Sequence, residues 1–335
     1  MTSKTTDNLE IIKKHHYVWA HYLRQWANGD DIWYISSKGG NIRRDSIYGR
    51  SQDLHFYQVT PLDEHDIQFI ERLPTSDSPI VKKFHTSQLD YFKKISMLIK
   101  TPEILKGVAK EEDLEELKKI SEWASNNSLE KTYTAIELLA RPVMDELWKG
   151  NASCLDIRSN MVAFYNYLAH QLARTRKMRD RSFELMKKVN QDNELWVEHV
   201  KLFEKNWWFI AYKMGINFGF GLEQSADTAN RILIRNTTNI DFITSDHPVI
   251  NVHQCAQGAA IDQVVDKLDL YYPLSPKLAF MLNDSQHYNH LKHFVNEEDV
   301  IHLNRLMADR SHKNIYGPSE QALKDVRKSY RNLKV

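Results

Sequence analysis

Glycine is scarce here, with 11 in 335 residues, about half the usual share of ~7%. That argues against a glycine-rich phosphate-binding fold and favours a helix-rich chain. There are two cysteines, Cys154 and Cys255, too few for a disulfide framework or a cysteine zinc site. Each reads as a small buried apolar residue. The longest apolar run, Trp207 to Tyr212, falls far short of the ~20 residues that span a bilayer. Met1 to Lys14 lacks the apolar stretch of a secretory signal. These absences predict a soluble, cytoplasmic protein with no membrane partner. Neither sign of charge dominates: 45 Lys+Arg face 44 Asp+Glu, for a net charge of +1. A globally basic nucleic-acid binder is thereby excluded, while a local basic patch is not. The sequence also contains no Walker loop, dinucleotide fingerprint, GxSxG, HExxH or kinase motif set.

The content that remains is ordinary for a globular chain, 42% hydrophobic and 27% charged. The N-terminal residues 15–27 repeat Val18, Tyr22 and Trp26 at helical spacing. Residues 31–48 read as a hairpin around Gly39-Gly40-Asn41, and 54–59 as a third extended piece. Helices are expected over 63–72, 79–99, 111–124, 128–149 and 157–178, with a long segment over 182–214 closing a helical block. Short strands follow over 231–235, 241–244, 249–252, 269–274 and 278–282, then a helix over 296–310 and a strand over 314–316. The pattern predicts an α+β fold: a helix-rich middle packed on a small, mainly antiparallel sheet built from both ends of the chain. No flexible linker is visible. The expectation is one domain, residues 1–335, with a hairpin-containing start (1–60), a helical block (61–220), a mixed region (230–317) and a C-terminal helix (318–335).

Three constellations carry candidate chemistry. His15 and His16 are adjacent, so in an extended stretch they point to opposite sides, one ring entering a site while the other packs. Thr244-Ser245-Asp246-His247-Pro248 lies between apolar strands; Ser245 suits turn chemistry, and Asp246 offers a carboxylate to orient a histidine or hold a metal. On the helix over 157–178, Met161, Phe164, Tyr165, Leu168 and Leu172 form an apolar stripe. Gln171, Arg174, Thr175 and Met178 occupy the neighbouring face. Arg174 beside that stripe needs an acceptor, either a structural carboxylate or a substrate phosphate. Arg176, Lys177, Arg179 and Arg181 follow as a basic cluster. Trp207-Trp208-Phe209 and the aromatics Trp33, Tyr34, Phe56 and Tyr57 read as core in preference to base-stacking platforms.

Taken together, HHYVWAHYLRQWA at the start, Gln171 with Arg174-Thr175, Thr244 to Val249, Tyr272-Pro273-Leu274-Ser275-Pro276 and Asn304 to Tyr316 resemble the domain of unknown function 4238 family. The resemblance covers nearly the whole chain. It departs at Trp19, where the family usually has proline, and at His247, where it usually has asparagine. What it implies is a shared fold and a shared site, without an activity.

Two function classes follow. The first is a hydrolase, a nuclease or phosphoesterase of a toxin-like or phage-defence kind. His15, His16, Arg174 and Asp246 would be catalytic, and Gln171, Thr175, Arg176 and Ser245 would contact a nucleic acid or other phosphate-bearing ligand, with a divalent metal such as Mg²⁺ as a candidate cofactor. The second is a non-catalytic binding or sensor subunit with a protein partner. A site in which His16, Arg174 and Asp246 line one cleft favours the first; residues dispersed and bonded to backbone favour the second.

Overall fold

The computed structural model describes residues 9–189, 193–226, 230–256 and 266–331. Near the start, the stretch 15–27, whose spacing suits a short helix or turn, begins as the strand Lys14–His16 (β1) and turns through Ala20–Leu23 (α1) and a 3-10 turn over Arg24–Trp26. The hairpin follows as Asp31–Ser36 (β2) and Arg43–Ser46 (β3), antiparallel, with Trp33 opposite Arg44. Gly39 and Gly40 hold φ of +88° and +119° in its connection, a backbone region open to glycine and strained for other residues. Gln52–Leu54 (β4) pairs with β1, with His15 opposite Asp53. The extended piece therefore ends at Leu54, and Phe56, Tyr57 and Val59 turn inward as buried core.

The helical block opens with Glu64–Arg72 (α2), where Asp63 and Asp66 form a reciprocal capping box. Pro79–Ile104 (α3) and Glu111–Trp148 (α4) follow. The two helices expected over 111–124 and 128–149 are one. Ser125 to Ser128 reads as a break, because short polar side chains compete for backbone bonds. Here those side chains find partners that leave the helix intact. Ser125 Oγ donates to the Val59 carbonyl (2.9 Å) and Asn127 Nδ2 to the Glu10 carbonyl (2.8 Å). Asn126 and Ser128 donate back to carbonyls four residues earlier.

Arg158–Ala173 (α5) and Arg176–Lys188 (α6) divide the helix expected over 157–178. Thr175 is extended, and its Oγ1 accepts from the Met178 amide, so it caps α6. Glu194–Lys205 (α7) and the apolar Trp207–Gln224 (α8) complete the block. Trp207 to Tyr212 are all buried, as a helix apolar on every side requires. Phe92 of α3 meets Trp208, Phe209 and Tyr212 edge-on. Each such fully buried side chain contributes about 1.5–3 kcal/mol.

Beyond α8 run Arg231–Arg235 (β5), Thr244–Ser245 (β6), Ile250–Asn251 (β7), Asp269–Ser275 (β8), Leu278–Asn283 (β9), Glu297–Arg310 (α9), Asn314–Gly317 (β10) and Glu320–Arg331 (α10). Residues beyond Arg331 lie outside the described part. Among the described residues the single sheet expected is three antiparallel ones: β1-β4, β3-β2-β10-β6 and β5-β9-β8-β7. The second is built from both ends of the chain, with β10 between β2 and β6. β8 and β9 are buried on both faces along nearly their whole length, which is why they read as continuous apolar runs. The fold class is α+β. Among the described residues no helix is long and apolar enough to cross a membrane.

Candidate functional site

Arg174 closes α5 and is 2% exposed. Its Nη2 is bonded to Glu137 of α4 and donates to Gln171 Oε1 at 3.2 Å. Its guanidinium lies 5.1 Å from the Tyr133 ring centre. Burial opposes this charge, but Glu137 and the surrounding tyrosines outweigh burial and hold Arg174 firmly protonated. Gln171 Nε2 donates to the Tyr17 carbonyl (2.8 Å), and Gln171 Oε1 also accepts from the Trp19 amide (3.5 Å). The helix end is thereby fastened to the N-terminal segment.

That segment brings in the two histidines. β1 alternates: Lys14 is exposed, His15 buried and His16 intermediate. The Tyr57 amide donates to His15 Nδ1 (2.8 Å), which leaves the proton on Nε2 to bond the Ile12 carbonyl (2.9 Å). Burial pushes His15 down to about 4. Both nitrogens are engaged by main chain and the ring stacks on Tyr57, so His15 holds structure. His16 Nε2 donates to the Tyr48 carbonyl at 3.2 Å on the solvent side. Burial and the nearby Arg174 keep its ring below the ordinary imidazole range.

Glu130 of α4 joins this group. Burial raises its carboxyl to about 7, against the pull of Arg174 and a hydrogen bond from the His16 amide. Its Oε2 is buried with no hydrogen-bond partner, as are Arg174 Nε, the Tyr133 hydroxyl and both ring nitrogens of His170. Burial lowers His170 to about 3, so its ring is neutral. It lies between Tyr133 and Tyr212, with ring centres at 5.7 and 5.2 Å. One interior patch therefore holds a fixed cation, its paired carboxylate Glu137, and a second carboxyl that titrates near neutrality. Burial raises Glu137 as well, against the pull of Arg174, and strongly shifted groups of this kind cluster at functional sites.

The strand-end residues form a different cluster. Asp246 is fully buried, and its carboxylate accepts the amides of His312 (2.9 Å), Lys313 (2.7 Å) and Asn314 (3.1 Å). Ser245 Oγ donates to the His247 carbonyl (3.0 Å) and accepts the His247 amide (3.1 Å). Thr175 Oγ1 meets His247 Nδ1 at 2.8 Å. These bonds brace β6 against β10 and against the start of α6. Among the described residues no hydrogen bond joins His16 to Asp246. The structure thus gathers His16, Gln171 and Arg174, while Thr175, Ser245 and Asp246 take part in bracing bonds.

Arg176 is ion-paired to Asp53. With Arg179, Lys14, His55 and Phe56 they line a polar cavity of about 550 Å³. Arg179 lies over the Phe56 ring at 4.8 Å and pairs with Asp180. Among the described residues no group of three or more His, Cys, Asp or Glu is placed to hold a metal ion.

Sequence reasoning missed Glu130, Tyr133, Glu137 and His170. Glu130, Tyr133 and Glu137 recur at i, i+3 and i+7, between the buried Leu129, Ile136 and Ala140. Two acidic residues on the apolar side of a helix were the available signal. A family model described as "protein of unknown function (DUF4238)" matches residues 14–321. Nothing among curated proteins or solved structures matches the chain.

Proposed function

The chain belongs to the DUF4238 family, and because that description assigns no activity, we propose from the site alone that it is a hydrolase of phosphodiesters, with nucleic acid as the substrate class. One observation carries the reading: Glu130 is a buried carboxyl at about 7, with an unpartnered oxygen beside His16 and Arg174. A group half-ionised at neutral pH serves as either acid or base. Water adds its hydroxyl to phosphorus, and the proton it sheds passes through Glu130 to the departing alkoxide oxygen. Arg174, 2% exposed, supplies a fixed positive field from within the fold. Lys14, Arg176 and Arg179 border the same N-terminal segment and suit the flanking phosphates. Part of their charge is offset by Asp53 and Asp180.

The second reading is a non-catalytic nucleic-acid or anion binder. It is favoured by His15, Ser245 and Asp246, whose polar atoms are engaged by main chain. One experiment separates the two. Purified protein is mixed with bis(p-nitrophenyl) phosphate and with labelled single-stranded RNA and DNA. Hydrolysis is expected to rise as pH passes about 7, and Glu130→Gln to lower kcat by about 10²–10⁴ without loss of melting temperature. Binding without turnover would support the binder and overturn the hydrolase reading, and full activity in Glu130→Gln would remove Glu130 from the mechanism.

A further inference from the structure

Away from the Glu130 group, a cavity of about 610 Å³ opens between α5, α6, α7 and α8. Its walls are mostly apolar, with Leu172, Met178, Phe203, Met214 and Phe218 among them. That volume is within the ~300–1,000 Å³ of small-molecule sites. The one charged side chain among its described lining residues is Lys213, which is 6% exposed. Its ammonium donates to the Leu73 carbonyl (2.9 Å) and the Ile70 carbonyl (3.3 Å) at the end of α2. Two of its three N–H groups are so used. Among the described residues no Asp or Glu forms an ion pair with it. Burial holds its pKa below the ordinary lysine value.

A buried ammonium without a counter-ion is costly, and natural interiors normally pair it. Capping the α2 carbonyls accounts for its position but not for the missing negative charge. The neighbouring polar groups do not provide one. Asn217 Oδ1 faces His85 Nε2 at 2.8 Å, and Asn217 Nδ2 donates to the Pro74 carbonyl.

We infer that this cavity binds an aliphatic carboxylate of medium chain length, the carboxylate on Lys213 Nζ and the chain against Leu172, Met178, Met214 and Phe218. The ligand completes the ion pair and fills the apolar walls at once. A neutral isostere would fill the walls alone. The assignment is independent of the reading of Glu130.

The test is calorimetric titration of the full chain with sodium decanoate and, separately, with decanol. Wild type is expected to bind one equivalent of decanoate, and decanol at least about tenfold more weakly, the difference made by one charge-assisted contact. Lys213→Met should weaken decanoate about tenfold and leave decanol unchanged. Met214→Trp, which narrows the cavity and keeps the lysine, should weaken both while circular dichroism shows a folded protein. Absence of decanoate binding by wild type would overturn the inference. So would equal decanoate affinity in Lys213→Met, or unchanged binding in folded Met214→Trp.

Discussion

Glu130 ionises against its own surroundings. Its carboxyl titrates at about 7 in the fold and near 4.5 outside it. A raised carboxyl contributes stability that is present below about 4.5 and lost as pH climbs toward 7. The full difference is about 3 kcal/mol, at ~1.4 kcal/mol per pKa unit. Glu130→Gln removes the ionisable group and keeps the shape. Urea unfolding should therefore show the variant more stable than wild type by about 1–3 kcal/mol at pH 8, and equal to it at pH 4.5. A variant less stable at pH 8 would mean that the carboxylate is held by contacts, and the unpartnered oxygen would lose its meaning. His15 shows the opposite residue-scale outcome. It was a candidate on sequence grounds, yet its two nitrogens are engaged by the Ile12 carbonyl and the Tyr57 amide. Strand alternation puts the two adjacent rings on opposite faces, and the packing of Tyr57 and Ile12 decides which turns inward.

Among the elements, α5 and α8 approach closely at Gly215. A Cβ on Gly215 of α8 would come within 2.2 Å of His170 Nδ1 of α5, and the His170 ring cannot retreat from between Tyr133 and Tyr212. Gly215→Ala gains helix propensity worth about 1 kcal/mol but must push the two helices apart. Overpacking of this kind costs about 1–3 kcal/mol. A net fall in stability is expected, read as a lower urea midpoint with unchanged slope. A midpoint at or above wild type would show that the helices yield freely. Gly221, with nothing within 4 Å of a Cβ, is the matched control within α8. The break between α5 and α6 has a similarly local cause, since the Thr175 side chain caps α6 and so ends the helix that periodicity alone continues through Arg174.

At the scale of the molecule, the two ends of the chain depend on each other. β10 lies between β2 and β6, and the amides of residues 312–314 are what the Asp246 carboxylate accepts. Ending the chain at Ser311 would expose the edges of β2 and β6 and leave a buried carboxylate unbonded. An unpaired buried charge of this sort destabilises by about 3–5 kcal/mol. The truncated protein is expected to lose its near-ultraviolet circular dichroism and its cooperative urea transition, although the helical block 61–220 remains in the chain. A retained sharp transition would show that the helices fold without the mixed sheet.

By itself the sequence determined the secondary-structure classes, the helical middle and the strands at both ends, because these rest on local periodicity and turn chemistry. It also marked His16, Gln171 and Arg174, which the fold brings together, through their place in family-like segments and, for Arg174, through the apolar stripe beside it. Tertiary structure decided the rest. α4 runs unbroken through Ser125 to Ser128 because distant carbonyls of Glu10 and Val59 accept the bonds that would otherwise break it. Asp246 became a brace because the amides of 312–314 reach it from the far end of the chain. Glu130 acquired its raised pKa from burial, against the pull of Arg174, 44 positions away in sequence. Electrostatics of that kind depend on distance in space and on exclusion of water, and neither is encoded in the spacing of residues along the chain.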